Sequence, residues 1–528
     1  MSELDDLKRQ YANGRLSRRD FMGRAAALGV GAALLSSMVP DLAMAADAPR
    51  KGGVLRLGMG GGSTTDSLDP RTYDESVALA CGFALFNTLI ENGPDNKPIP
   101  SLAESWEAKP GAAEWIFTLR KGVTFSNGKA FTADDAIYSL NLHRGASKSG
   151  ASAQMKSVTD IKKLDDNKIQ VTLASGDADF PYIFTDYHMH MVPDGFTDFS
   201  KPIGTGAFEL VSFDPGVRIV FKRTREFWKT GRGHLDGLEI TVINDSSARL
   251  NALISGQVDA INRLDPKAIA TVKKSSKLEV VQAPGGWFPI ISMFIDAEPY
   301  SNVDVRQALR YGLNREAVLK TMFAGYGTLG NDHPIPKGDP YHNPNLPQIA
   351  YDPDKAKFHF KKAGLSNPTI LLSASDAAFG GAVDMATLFQ ANAAKADIKI
   401  DVRKEPADGF FTNVWLKKPF VTSYWGGRPS ATQMLSVAFK SDAPWNETHW
   451  KRPDFDKLLS DAKSELDEAK RKDYIWTMQK MLHDEGAAII PVFRDWLDAH
   501  SSKVGGLTPH SGFDMDNGLV AEKIWLKA

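Results

Sequence analysis

Glu114-Trp115-Ile116-Phe117-Thr118-Leu119-Arg120-Lys121-Gly122-Val123-Thr124-Phe125-Ser126-Asn127-Gly128 is the stretch on which the reading of the fold turns. Its first seven residues alternate between apolar and polar, the period of a strand with one buried face. Ser126-Asn127-Gly128 supplies a turn. Thr132-Ala133-Asp134-Asp135 then reads as a capping box that starts a helix through Ala136, Ile137, Leu140 and Asn141. Lys168-Ile169-Gln170-Val171-Thr172-Leu173 alternates again and predicts a further strand. A mixed section of roughly a hundred residues has the size of one small lobe.

Outward from this section the pattern changes. Upstream, Gly53-Val54-Leu55-Arg56-Leu57-Gly58 predicts a strand, followed by the bend Gly60-Gly61-Gly62-Ser63. No Gly-Lys-Ser/Thr follows it, so it is not a phosphate loop. Downstream, Asp236–Ile243 predicts a strand, Ser247–Gly256 a helix with a glycine stop, and Val258–Ile261 another strand. Strands alternating with helices indicate an α/β architecture with parallel pairing. Val303–Phe323 holds two short helices, capped by Asp304 and Asn314. Glu465–Glu485 is the longest helical pattern, and Ile489-Ile490-Pro491-Val492-Phe493 a final apolar strand.

The 528 residues exceed what one core needs and predict two or three lobes. A net charge of −1 without a basic block argues against nucleic acid as partner. The one cysteine, Cys81, lies in the apolar run Val77–Phe86 and reads as an inert core thiol. The 11 tryptophans fill a large core or line a pocket.

At the N-terminus, Ser17-Arg18-Arg19-Asp20-Phe21-Met22 reads as a twin-arginine export signal. An apolar segment from Ala25 to Val39 and the small-residue site Ala43-Met44-Ala45 follow. Fifteen residues are too few to span a bilayer as a helix. The reading is therefore export by the twin-arginine translocase, with residues 1–45 removed by cleavage after Ala45 and the mature protein in the periplasm.

Several segments, in order, resemble a known family. They include Ser67-Leu68-Asp69-Pro70, Leu85-Phe86-Asn87-Thr88-Leu89-Ile90 and Pro100-Ser101-Leu102-Ala103-Glu104-Ser105-Trp106. Trp115–Gly128 running into Phe131–Ala136 is the fullest of them, followed by Gly204-Thr205-Gly206, Ser255-Gly256-Gln257-Val258-Asp259 and Val305-Arg306-Gln307-Ala308-Leu309. Together they resemble the family 5 extracellular solute-binding proteins of ABC importers, which handle peptides, nickel and opines. The resemblance implies an α/β, two-lobed periplasmic binding protein fold of type II with an additional small domain. Residues 46–90, 204–291 and 503–528 would form lobe one, 91–203 the small domain, and 292–502 lobe two. It further implies a monomer that captures a peptide-like or other small organic solute, without a cofactor, and hands it to a permease in the inner membrane.

Thr422-Ser423-Tyr424-Trp425-Gly426-Gly427-Arg428-Pro429-Ser430 matches the place where peptide-binding relatives carry an Asp for the ligand's amino terminus. Here Arg428 stands before Pro429, and no acid lies between Tyr424 and Met434. An arginine repels an ammonium and favours a carboxylate or phosphate, so an anionic or neutral solute becomes attractive. Set against this, Arg428 stays in solvent or makes a structural ion pair. Tyr424 and Trp425 are candidates for the cleft wall, with a core role as the alternative. Trp287 and Phe288, after Gly285-Gly286, stand near the implied lobe crossing, where they line the pocket or pack against the hinge. Ser63 and Thr64 offer hydroxyls to a ligand or cap their own loop.

Two other functions are weighed. A metal or metal-chelate receptor on the same fold would use His188-Met189-His190, but no Cys or acid cluster accompanies that pair. A periplasmic hydrolase would need a nucleophile and base. Lys229-Thr230-Gly231 and Ser460-Asp461-Ala462-Lys463 match β-lactamase-type motifs only in the wrong order. The expectation is no catalytic residue and no protein-bound metal.

Overall fold

The computed structural model describes residues 48–365 and 369–527. The twin-arginine stretch and the cleavage site lie outside the described residues. None of the described helices is long and apolar enough to cross a membrane.

The chain opens with β1 (Val54–Met59) and α1 (Ser76–Leu85). Every residue of α1 is buried, so its apolar run needs no polar face. Cys81 lies within it, and burial pushes its thiol above the ordinary range. Next come β2 (Ala103–Ala108), β3 (Glu114–Leu119), α2 (Ala133–Asn141), β4 (Val158–Asp165) and β5 (Lys168–Leu173). These four strands form one antiparallel sheet in the order β2-β3-β5-β4. In β3, Trp115, Phe117 and Leu119 are buried and alternate with half-buried residues, as the sequence period requires. The capping box is realised: Thr132 N donates to Asp135 Oδ2 at 2.8 Å.

The chain then adds β6 (Glu209–Asp214), β7 (Arg218–Lys222), β8 (Gly237–Val242), α3 (Ser246–Ile254), β9 (Ala260–Ile261) and β10 (Leu278–Pro284). It continues through β11 (Phe288–Met293), α4 (Val303–Tyr311), α5 (Arg315–Phe323), α6 (Pro353–Lys362), β12 (Thr369–Ala374), α7 (Ala382–Ala393) and β13 (Lys399–Lys404). There follow β14 (Phe420–Trp425), α8 (Ala431–Ala438), α9 (Pro453–Ser464), α10 (Glu468–Glu485), β15 (Ala488–Ile489) and β16 (Val492–Ser501).

The larger sheet has the order β10-β16-β9-β1-β8-β7-β6, with Gly327–Leu329 also paired to β16. The second sheet has the order β13-β12-β14-β11-β15. Parallel pairing is confined to β1 with β8 and β9, and to β12 with β13 and β14. Among the described residues the remaining pairs are antiparallel: a short turn joins β6 to β7, a longer loop over 223–236 returns the chain to β8, and β16 returns from the other sheet. Separate apolar cores serve the larger sheet, the small sheet and the second sheet. The fold is α/β and two-lobed, with a small additional domain.

The chain passes between the two large sheets twice. Residues 278–284 pair with β16 in the larger sheet, whereas 288–293 pair with β14 and β15 in the second. The first change of sheet therefore falls at 285–287, ahead of the expected boundary at 291. The second falls at 490–494 rather than 502, because residues 495–501 already belong to the larger sheet. Gly285-Gly286 makes the first bend possible: a Cβ on Gly286 would meet the Gly427 Cα at 3.0 Å. Gly204 and Gly206 serve another close approach. A Cβ on either would strike the carbonyls of Leu85 and Ala84 at the end of α1.

Helix starts follow local chemistry, with one correction. Asn302, not Asp304, caps α4, its Oδ1 accepting from Asp304 N at 2.9 Å. Asn314 caps α5 as expected.

Candidate functional site

The two crossings carry an aromatic and cationic cluster. Trp287 lies on the first and Arg494 on the second, and Arg494 N donates to Trp287 O at 3.0 Å. The Arg494 guanidinium lies 4.7 Å from the centre of the Trp287 ring and 5.3 Å from that of Trp496. Tyr424 stacks on Trp287 with centroids 5.9 Å apart and planes 24° apart. It is 41% exposed, whereas the other residues of β14 are buried. Strand register explains this: Tyr424 sits opposite Pro289, and Trp425 sits opposite Phe288 in the core.

Phe288 is fully buried, its ring 5.1 Å from that of Phe493. This places it in the packing of the second lobe rather than on a wall. Trp425 is also buried and is held from behind by Glu447, which accepts the indole N–H. Trp415 Nε1 donates to the same carboxyl at 2.9 Å, and Ser292 Oγ donates at 3.2 Å. Burial pushes Glu447 up to about 7, with these donors opposing.

The Arg428 guanidinium lies 5.6 Å from the Trp425 ring centre. Its hydrogen bonds go to the carbonyls of Gly426 and Gly427, at 3.1 and 3.2 Å. Among the described residues no carboxylate pairs with it. Burial pulls it below its ordinary value, and Tyr187, Asp186 and Tyr424 act in the opposite direction. Arg494 thus lies against Trp287, the stacking partner of Tyr424, and Arg428 against Trp425, the next residue of the chain.

Ser63 stands at the edge of a cavity of about 240 Å³ lined also by Gly61, Gly62, Asp66 and Glu75. Its hydroxyl bonds to Thr65 Oγ1 at 2.9 Å. Thr64 is not part of that lining; its backbone lies against Gly216. Glu75 joins the cavity to the crossing by its ion pair with Arg263, which also reaches Asp514 at 3.2 Å.

Sequence reasoning missed Arg494, Trp496, Tyr187 and Phe513. Tyr187, from the small domain, packs 6.3 Å from Phe513 of the C-terminal segment, and Phe513 packs 5.2 Å from Trp496. Burial pushes the Tyr187 phenol above its ordinary range; Arg428 of lobe two and Asp74 and Glu75 of lobe one lie within its field. One residue therefore faces both lobes. The signal for Arg494 was a cation directly after the apolar run Ile489–Phe493.

The other candidates separate. His188 Nδ1 contacts Asp186 Oδ1 at 2.6 Å, whereas His190 is enclosed by Tyr73, Phe83 and Phe86. Among the described residues no three of His, Cys, Asp and Glu come together as metal ligands. Lys229 is buried in an ion-pair network with Glu91 and Glu522, and Ser460 lies exposed on α9.

Residues 97–447 match the sequence family described as bacterial extracellular solute-binding proteins, family 5 Middle. The chain is 26% identical over 464 residues to the dipeptide-binding protein of Escherichia coli, covering 79% of this chain and 84% of that one. It is 28% identical over 474 residues to heme-binding protein A of Haemophilus influenzae, covering 80% and 83%. The structure of HbpA2 from Haemophilus parasuis superposes with a TM-score of 0.82 at 20% identity, over 90% of this chain and all of that one. The proteins it matches are substrate-binding proteins of ABC transporters and not enzymes. With two thirds of its length inside the family match, this chain belongs to the family 5 bacterial extracellular solute-binding proteins.

Proposed function

We propose that this protein captures a small organic solute, peptide-like in size and anionic in character, between its two lobes and presents it to an ABC permease. The observation that carries this reading is Arg428. It stands beside the aromatic cluster, without a carboxylate partner among the described residues, on a loop that offers no acid to a ligand amine. A solute touching both lobes stabilises the closed arrangement by its differential affinity, and the permease reads closure as occupancy. Trp287 and Tyr424 supply apolar area with little loss of rotamer freedom. Ser63 contributes a hydroxyl at the margin of the adjoining cavity. The chain acts as a monomer in the periplasm, exported by the twin-arginine translocase and cleaved after Ala45.

Relatives are named for dipeptides and for heme, so the test must not presuppose the solute. Native mass spectrometry of the folded protein identifies the compound that co-purifies with it. Calorimetric titration of that compound into stripped protein, with and without chelator, gives its affinity. A carboxylated or phosphorylated compound that binds equally in chelator supports the reading. A cationic amine, binding abolished by chelator, or a compound recovered chemically altered overturns it.

A further inference from the structure

Buried arginines elsewhere in this molecule are satisfied either by carboxylates, as Arg310 and Arg315 are by Asp332 and Arg471 by Asp179, or by main-chain carbonyls. Arg249 donates to the carbonyl oxygens of Asn262, Ile243, Asn244 and Arg263 at 2.6–3.2 Å. Arg306 does the same with those of Tyr300, Ser301 and Glu485. Such bonding is what a structural guanidinium needs, because an unsatisfied buried charge is costly. Arg494 departs from this pattern. Half-buried at the second crossing, its side chain makes no hydrogen bond and no ion pair among the described residues.

Its surroundings narrow its role. The indoles of Trp287 and Trp496 lie against the guanidinium at 4.7 and 5.3 Å, a cation–π arrangement. What remains is the edge of the fork, with donors in the geometry that matches an oxyanion. Nearby acids are engaged elsewhere. Glu75 pairs with Arg263. Asp514 accepts from Arg263 at 3.2 Å, Ser76 at 2.7 Å and Asn262 at 3.1 Å. Asp498 accepts from the backbone N–H groups of Arg263 and Met515; burial and the neighbouring Asp514 raise its carboxyl above the ordinary range. Burial and the Arg263 charge bring Arg494 down to about 10, which leaves it cationic at neutral pH.

We propose that Arg494 is an oxyanion subsite of the cleft, taking a carboxylate or phosphate of the solute on the edge of its guanidinium while Trp287 and Trp496 hold it in place. The proposal rests on the solute-binding reading above and adds a second cation to it. With Arg428 following Tyr424 and Trp425 on the loop after β14, its guanidinium 5.6 Å from the Trp425 ring, the two cations together favour a compound with two acidic groups.

The test uses the full mature protein, stripped of co-purifying compound, in thermal-shift titrations. The probes are acetate, glutarate and inorganic phosphate, each compared with chloride at equal ionic strength. Tenfold excess over Kd adds about 1.4 kcal/mol to stability, which corresponds to a rise of about 2 °C for a chain of this size. The wild type is expected to rise in glutarate by more than in acetate. Arg494→Gln is expected to lose the response, and Arg494→Lys, which keeps the charge without the fork, to retain less than half of it. The phosphate arm separates phosphate from carboxylate recognition. No difference from chloride in the wild type overturns the proposal. A response lost in Arg428→Gln but intact in Arg494→Gln also overturns it, while leaving the reading of an anionic solute standing. Should Arg494→Gln fail to fold, the Lys variant decides alone, and a full response there counts against the fork.

Discussion

Asp179 of the small domain and Arg471 of α10 in lobe two form a buried ion pair, away from the aromatic cluster at the crossings. Thr432 donates its hydroxyl to the same carboxylate. Beside them Ala178 N donates to Lys463 O, and Asp177 meets Lys463 at 3.3 Å. These contacts join the small domain directly to lobe two and hold the two together as seen here. Asp179→Asn leaves Arg471 without its countercharge only while the parts are in contact, since opening returns the guanidinium to water. The co-purifying compound is expected to bind this variant about tenfold more weakly, the equivalent of about 1.4 kcal/mol. The loss should appear as faster dissociation in stopped-flow measurements. Unchanged dissociation would show that the pair does not bear on closure.

Glu447 gives a pH signature. Its carboxyl is raised to about 7 by burial, so the folded state binds a proton that the unfolded state releases near its ordinary value. Stability from this group is therefore present below about pH 4.5 and falls as pH rises toward 7. Glu447→Gln keeps an acceptor for the indoles of Trp425 and Trp415 but cannot ionise. The difference in Tm between wild type and variant, followed from pH 4.5 to 7.5, is expected to shift steadily in favour of the variant. A constant difference would place the proton elsewhere.

Arg428→Asp reverses the charge at the cleft rim while removing hydrogen bonds to two glycine carbonyls and one contact with the Trp425 ring. Binding of the co-purifying compound is expected to fall at least a hundredfold, with Tm within about 2 °C of wild type, as for other substitutions outside a core. Calorimetry and a thermal melt of the same preparation check both halves.

Arg18→Lys combined with Arg19→Lys is expected to leave the protein in the cytoplasm with its first 45 residues attached. Fractionation followed by N-terminal sequencing tests this; mature protein outside the cytoplasm would contradict the twin-arginine route.

The strands and the capping box of the small domain were legible because each depends on neighbours in sequence. Alternation in Trp115–Leu119 fixed a buried face, and Thr132 with Asp135 fixed a helix start. The crossings were less legible. Where residues 285–287 and 490–494 change sheets depends on pairing between segments some two hundred residues apart, which no local period records. Phe288 illustrates the cost: next to Trp287 in sequence, it faces the other way along the strand and joins the core. Arg428 was found through a departure from a family pattern. Arg494 was missed because its meaning comes from its contact with Trp287 and Trp496, and from the acids that turn to Arg263 instead.

The contact of one guanidinium with two indoles has a practical consequence. Tryptophan emission responds to nearby charge, and Trp287 and Trp496 lie within 5.3 Å of one fixed cation. An acid arriving on that cation alters the field across both chromophores at once. On the proposal that Arg494 receives the acid of the solute, these two indoles are a built-in reporter of occupancy, readable in unlabelled protein.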